Sequence, residues 1–428
     1  MPTLGNMVLE TGPAARSDHS VVTPESEPKK VTFYGHFGTL NTGNESTLLA
    51  VVSNLRERHP EWKLACACTY PAIVEERLGI EGFPLGMRDV KLWEHRMGLI
   101  GRIKRATAGV IQELREWVAA YRALEGTTTL LIPGTGLLTD AYGLSDWGPY
   151  NLFKWSSMAR LRGCGVRFLS VGVGPLYSRL GRRFVRFGLG LAHYRSYRDE
   201  ASMAWARQIG VRTDRDRLYP DLAFSLPSEI LPVAGPPGGR RVVGLGLMLY
   251  AGRYSAARPK PETYPIYLES LVTTAEWLLR HDYDIRLLLG DEDPLVTDEF
   301  KSLLRARLGD HFEGRVVEGP MRTVEEVLAQ LASTDVVIAT RFHNLVLALL
   351  LDKPVLAISF HHKCTSLMSQ VGLSEYCHDI HEMDAERLIA QFERLESDSD
   401  TVRRRVARRV EEFRTALQEQ YDFIARDI

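Results

Sequence analysis

The run Asp335-Val-Val-Ile-Ala-Thr-Arg341-Phe-His343-Asn ends an apolar, β-type segment in an arginine and a histidine. A helix-type run, Leu345 to Leu351, follows at once. Open α/β sheets bind ligands outside the carboxyl ends of their strands, beside helix N-termini. There a guanidinium offers a permanent charge and an imidazole offers a proton that titrates near neutrality. Residues two apart at a strand end share a side, so Arg341 and His343 are expected to face a ligand and Phe342 the core. The blander alternative is a helix-capping histidine with an arginine bridging to a carboxylate. A second such strand, Val355 to Phe360, runs into His361-His362-Lys363. Lys363 is expected beside the first pair as an anion contact, and the two histidines read as loop residues.

Three Gly-rich loops fall at strand ends in the first half: Gly35 to Gly43, Gly134 to Gly136 and Gly172 to Gly174. Each reads either as a tight turn or as a place of close backbone approach to a ligand. None matches the dinucleotide fingerprint or a phosphate-cradling loop ending in Gly-Lys-Ser/Thr. Tyr197-Arg198-Asp199-Glu200 closes another strand. Arg198 can face the cleft or form a surface ion pair, while Asp199 or Glu200 can cap the next helix. Pro220-Asp221 reads as a turn or as a group orienting a cleft residue. Asp291-Glu292-Asp293 resembles a loop more than a ligand set. No metal site is expected, and no nucleophilic serine or cysteine sits in a recognisable elbow.

The elements needed to position these residues are legible in the pattern. Strands are expected at Val31–His36, Lys63–Thr69, Thr129–Pro133, Val166–Val173 and Tyr194–Arg198, with helices between them, including Lys91 to Ala123. A second set follows at Val242–Leu249, Ile285–Leu289, Arg315–Glu318, Asp335–Thr340 and Val355–Phe360. Strands alternating with helices on both sides of a Pro/Gly-rich boundary indicate two doubly wound parallel sheets with an interdomain cleft. The expected division is a disordered tail over 1–28, a first Rossmann-like domain over 29–228, and a linker over 229–240. A second domain occupies 241–398, and a helix over 399–428 crosses back onto the first.

A chain of 428 residues can build two full cores. With a formal net charge of -1, bulk electrostatics will not hold nucleic acid, so any anion site must come from local arginines. Five cysteines without metal spacing read as reduced thiols in a cytoplasmic protein. Residues 1 to 28 lack the apolar centre of a signal peptide, and no apolar run spans a membrane. The basic amphipathic run Arg179 to Arg195 reads as a helix packed on a sheet with its arginines in solvent. Contact with a membrane surface is the alternative.

Taken in order, four segments resemble the polysaccharide pyruvyl transferase family. They are Leu40-Asn41-Thr-Gly43-Asn44-Glu45, Pro133-Gly134-Thr-Gly136-Leu-Leu-Thr-Asp140, Val171-Gly-Val-Gly174-Pro-Leu176 with Arg198-Asp199-Glu200, and Ala339-Thr-Arg341-Phe-His343-Asn with Ser359-Phe-His-His-Lys363. The resemblance implies a glycosyltransferase-B-like fold and transfer of a carboxyvinyl unit from phosphoenolpyruvate to two hydroxyls of one sugar. It implies His343 and Arg341 as catalytic residues, and Arg198, Lys363 and Gly174 as donor-binding. Asn41, Asn44, Glu45, Gly134 and Gly136 would then form the acceptor side. Phosphoenolpyruvate is a co-substrate, and no cofactor is implied. Expected partners are the donor and a sugar acceptor carried on a nucleotide, lipid or glycan. Peripheral contact with the inner membrane and a homo-oligomer stay open. The chain departs from the pattern at Asn44, at Pro133 and Thr135, and at His361-His362. One rival is a nucleotide-sugar glycosyltransferase of the same fold, with Glu375 near a ribose-binding position. Another is a non-catalytic glycan-binding scaffold.

Overall fold

The computed structural model describes residues 28–86, 99–134, 136–140, 148–232, 239–250, 261–290 and 294–428, with side chains of the first long helix described from residue 108. The expected tail, the Asp291–Asp293 turn, Thr135, residues 91–98 of the basic helix and residues 233–238 of the linker lie outside that set.

The first seven strands are β1 (Lys30–Tyr34), β2 (Lys63–Cys68), β3 (Glu81–Pro84), β4 (Thr129–Pro133), β5 (Gly165–Val171), β6 (Tyr194–Tyr197) and β7 (Arg217–Leu218). They form one parallel sheet in the order β3-β2-β1-β4-β5-β6-β7. Its helices are α1 (Thr42–Arg58), α2 (Pro71–Leu78), α3 (Leu99–Ala123), α4 (Gly148–Leu161), α5 (Arg179–Gly190) and α6 (Glu200–Gln208). The second sheet holds β8 (Val242–Gly246), β9 (Asp284–Leu288), β10 (Val316–Val317), β11 (Val336–Ala339), β12 (Val355–Ser359) and β13 (Cys377–Asp379). Its order, β10-β9-β8-β11-β12-β13, repeats the first. Around it lie α7 (Thr263–Arg280), α8 (Pro294–Leu308), α9 (Val324–Ala332), α10 (Phe342–Leu350), α11 (His362–Gln370), α12 (Ala385–Ser397) and α13 (Ser399–Asp427).

Both sheets are doubly wound, with the strand order reversing between β1 and β4 and between β8 and β11. Parallel strands covered on both faces must be apolar throughout. Accordingly, Thr129-Leu-Leu-Ile-Pro, Val336-Val-Ile-Ala and Val355-Leu-Ala-Ile-Ser are buried at every position. Alternate strand residues enter separate cores. Leu130 and Ile132 pack with α3 and α4 side chains, whereas Leu131 packs with α1 on the opposite face. That second core continues into the other domain, so α1 lies at the interdomain seam.

Helix α13 ties the halves together. Arg403 at its start donates to the Asp335 carbonyl. At its end Arg167 of β5 reaches the Asp427 carboxylate at 2.8 Å, and Gln420 lies among Ser170, Tyr194 and Ser196. Arg414 donates to the carbonyls of Phe224 and Leu226, both at 3.1 Å. Asn54 of α1 donates to the Ser225 carbonyl. The stretch before the expected linker is therefore clamped, with Phe224 and Leu226 fully buried.

The fully buried Tyr421 side chain meets the Ser225 hydroxyl at 2.8 Å. Tyr421→Ala should cost about 3 kcal/mol of stability, the usual scale for an aromatic-to-alanine cavity. Urea unfolding measures it, and a loss below about 1 kcal/mol would show that α13 is not integral to the fold.

Candidate functional site

A cleft of about 420 Å³ opens where the strand carboxyl ends of the two sheets face each other. Its walls come from segments after β1, β4 and β6 on one side and after β8, β9, β10, β11 and β12 on the other. They include the reversal points of both sheets, β1/β4 and β8/β11, where neighbouring connections run in opposite directions and leave a crevice. Arg341, His343, Lys363 and Arg198 all line it, as do Asn41, Asn44, Gly134 and Gly136.

The local geometry of the Arg341 segment differs from a strand end. β11 stops at Ala339, Arg341 is the residue before α10, and Phe342 to Asn344 form the first helical turn. Side chains there fan out by about 100° per residue, so the two-residue alternation does not apply. Phe342 therefore borders the cleft as well as the core. Its ring has the Arg198 guanidinium at 4.9 Å and the Lys363 ammonium at 5.4 Å from its centroid. No side chain caps the start of α10. The first N–H groups of a helix lack internal partners, so this terminus presents donors and a partial positive charge. By contrast, Asn41 caps α1 through the Asn44 N–H, and His361 caps α11 through the Lys363 N–H.

Three of the cleft side chains lie against glycines, at the head of α1 and beyond the ends of β5 and β9. A methyl group on Gly43 would stand 1.9 Å from His343 Nδ1. One on Gly172 would stand 2.5 Å from a terminal nitrogen of Arg198, and one on Gly290 2.5 Å from Arg341 Cζ. The His343–Gly43 contact crosses between domains, because Gly43 lies in the first turn of α1. Gln370 of α11 adds a second crossing, donating to the Arg198 carbonyl.

Burial pushes the His343 imidazole down to about 4, with Asp221 opposing and Lys363 and Arg198 assisting. At neutral pH the ring is uncharged. Its Nε2 is shielded from solvent and makes no hydrogen bond. Lys363 is pushed down to about 8, first by burial, then by Arg198, with Arg341 adding to the effect and Asp221 opposing it. Lys363, Arg198 and Arg341 line the same cleft, where one anion can meet all three. Arg198 is held by Asp221 at 3.4 Å and Asp199 at 3.6 Å. Asp221 also caps the short helix Leu222–Ser225, accepting from the Ala223 N–H, so it is both turn and orienting group. Asp199 caps α6 through the Ser202 N–H.

Two expected site residues stand elsewhere. Gly174 is not on the cleft wall; its Cα lies against the Trp205 indole, and its N–H donates to the Leu138 carbonyl at 2.8 Å. Glu45 is buried and off the wall, its carboxylate accepting from the Thr39 N–H at 3.1 Å. It closes the loop after β1 rather than facing a ligand. His361 and His362 flank the site without lining it. Glu375 pairs with Arg405 at 3.2 Å and is likewise absent from the wall. Asn344 was not among the expected site residues, whereas Asp221, read as a turn or a group orienting a cleft residue, stands behind Arg198 and off the cleft wall. Asn344 lines the cleft with its buried Nδ2 unpartnered. The signal for Asn344 was its place in the first helical turn; for Asp221 it was the Pro-Asp turn at the domain edge. Among the described residues no group of acidic, histidine and cysteine side chains could hold a metal ion.

Comparison with known proteins bears on this geometry. The family model described as polysaccharide pyruvyl transferase matches residues 41–362. The amylovoran biosynthesis protein AmsJ of Erwinia amylovora is 30% identical over 282 residues, 63% of this chain. The match spans 66% of that relative, just under two thirds. Among solved structures, UDP-GlcNAc 2-epimerase from Neisseria meningitidis, bound to UDP-GlcNAc, superposes with a TM-score of 0.54 at 12% identity. That match covers 88% of this chain and 94% of the other. Anabaena HepE in complex with UDP and glucose gives 0.56 at 14% identity, covering 92% and 99%. These likenesses establish the fold, two Rossmann-like domains in a glycosyltransferase-B-like pair.

Gly43→Ala tests the interdomain seat. Alanine suits a helix, so the fold should hold while the imidazole is displaced. The His343 titration followed by NMR should then move from about 4 toward its ordinary 6.5. An unmoved titration would mean that the ring accommodates the methyl group. The same shift has a consequence for stability. The unfolded chain binds the His343 proton more tightly than the folded one, so folding stability gains as pH rises from about 4 to 6.5. His343→Gln should flatten that part of the stability–pH curve, and an unchanged slope would contradict the buried, neutral ring.

Proposed function

Because the chain belongs to the polysaccharide pyruvyl transferase family, we propose that it transfers the carboxyvinyl unit of phosphoenolpyruvate onto two hydroxyls of one sugar. The acceptor would be a glycan or glycan precursor, and phosphate is released. The observation that carries this reading is the convergence of Arg341, Arg198 and Lys363 with a neutral imidazole at the uncapped start of α10. Phosphoenolpyruvate carries a phosphate and a carboxylate on a small enol. Guanidinium groups bind such anions bidentately, and a helix N-terminus takes a third contact.

The proton inventory fits a shuttle through His343. The first sugar hydroxyl gives its proton to the neutral imidazole as its oxygen bonds to the central carbon. In the same addition the C=C π bond breaks: its electron pair takes that proton from the imidazolium at the methylene carbon, which becomes a methyl group, and the central carbon gains oxocarbenium character toward the hydroxyl oxygen. Entry of the donor's negative charge raises the imidazole's affinity for the proton, because it offsets Lys363 and Arg198. The second hydroxyl then bonds to the same carbon. The carbon–oxygen bond to phosphate breaks, phosphate leaves with the electron pair, and the second proton leaves with it. Asn41, Asn44, Gly134 and Gly136 on the facing wall suit the acceptor side. A nucleotide-sugar glycosyltransferase is less well supported, since Glu375, its candidate ribose contact, is engaged with Arg405 away from the cleft.

The test is incubation with phosphoenolpyruvate and a panel of nucleotide- and lipid-linked sugars, following phosphate release and the ketal's mass gain. Release of a nucleotide from a nucleotide sugar, without phosphoenolpyruvate consumption, would replace this reading with the glycosyltransferase. His343→Ala should lower turnover by roughly 100- to 10,000-fold with the fold intact; a wild-type rate would remove His343 from the chemistry. Arg341→Ala should weaken donor binding by about 2 kcal/mol, read by calorimetry. Lys363 loses its charge as pH rises through about 8, so donor affinity should fall above that pH. A flat affinity from pH 7 to 10 would exclude Lys363 as a donor contact.

A further inference from the structure

Helix α3 carries apolar residues on two sides. Its inner side joins the core through Trp117, Ala120 and Ala123, and beside them Glu113 and Glu116 hold the buried Lys154 of α4 at 3.2 and 2.9 Å. Tyr150 donates to Glu113 and accepts from Trp117 Nε1 at 2.8 Å. Its outer side carries Val110, Ile111, Leu114, Val118 and Tyr121, spaced as one stripe. Val110 and Leu114 are each 61% exposed. A helix packed on a sheet normally buries such a stripe and exposes the acids.

The neighbouring helices expose apolar side chains as well. Phe153 of α4 contacts both Trp117 of α3 and Phe187 of α5, each with ring centroids 6.2 Å apart. Phe187 is 56% exposed, with Leu180 exposed on the same helix and Leu161 at the end of α4. Around them α5 presents Arg179, Arg182, Arg183 and Arg186 to solvent. Neither α4 nor α5 contains an acidic residue. In a chain of net charge -1 this is a local concentration of positive charge, not a bulk property.

We propose that the outer face of α3, α4 and α5 docks on an anionic membrane surface. Arginines meet headgroup phosphates while the valine, leucine and phenylalanine side chains enter the acyl boundary. A symmetric second copy fits less well, because a two-fold interface on this patch would set arginines against arginines. The patch also borders the cleft. Asp140 accepts from the N–H groups of Tyr177 and Ser178 at the head of α5, at 2.7 and 2.8 Å. Thr139 before it lines the cleft wall, as does Gly148 at the head of α4. Docking would hold that wall near the lipid surface. The surface assignment does not depend on the donor chemistry.

Co-sedimentation of the full chain tests it, using vesicles of phosphatidylcholine alone and vesicles doped with phosphatidylglycerol. Wild type should pellet with the doped vesicles only, and less so as salt rises. Arg183→Glu and Arg186→Glu should each reduce partitioning at least roughly fivefold. Leu114→Asp with Val118→Asp should abolish it, with melting curves confirming the fold; Leu180→Ser with Phe187→Ser provides a second apolar pair. The proposal fails if wild type stays in the supernatant with doped vesicles, or if both apolar pairs bind like wild type. It also fails if light scattering finds a dimer that Leu114→Asp splits, which would make the face a contact between copies.

Discussion

Everything in the cleft depends on holding Arg198, Arg341 and Lys363 near one another at the positive end of a helix. Such an arrangement is unfavourable without an anion, and Lys363 loses proton affinity first through burial and then through Arg198. Asp221 and Asp199 offset part of that repulsion from the first domain. The rest is sustained by the fold, through buried parallel sheets and a final helix fastened to both halves. A site charged in this way favours an anion over a neutral ligand.

The side chains are aimed by contact with bare backbone. Glycines 43, 172 and 290 each leave room for a functional ring or guanidinium where a methyl group would collide. Because Gly43 and His343 belong to different domains, the placement of the imidazole is also a measure of how closely the halves approach. The neutral ring and its shielded Nε2 follow from that closeness. Closure, desolvation and proton affinity are one linked quantity here.

The first domain serves two surfaces from one loop. Residues after β4 form a cleft wall, and Asp140, a few residues on, fastens the head of α5. On the opposite side of the sheet from α1, Glu113 and Glu116 of α3 meet the buried Lys154 of α4, while Val110, Leu114 and Val118 of α3 stay exposed. The buried ammonium is tolerated because it is paired with two carboxylates at once.

Strand runs such as Thr129–Pro133 and Val355–Ser359 are apolar without alternation, which only a sheet covered on both faces requires. The doubly wound class and the cleft between strand ends were therefore legible in the sequence. So was the placing of Arg341, His343, Lys363 and Arg198 beside that cleft, because each follows the end of a strand. Edge strands β3 and β7 were not, since short pairs such as Arg217–Leu218 carry no periodicity. Gly174 and Glu45 sit in motif positions that look functional, yet sequence cannot distinguish a glycine against a tryptophan from one against a ligand. Nor could it separate an amphipathic helix facing inward from one facing outward, because periodicity is blind to direction. The order of residues determined which groups are available and on which strand ends they stand. Only the tertiary structure decided which of them meet, because meeting depends on contacts hundreds of residues apart, such as Gly43 with His343.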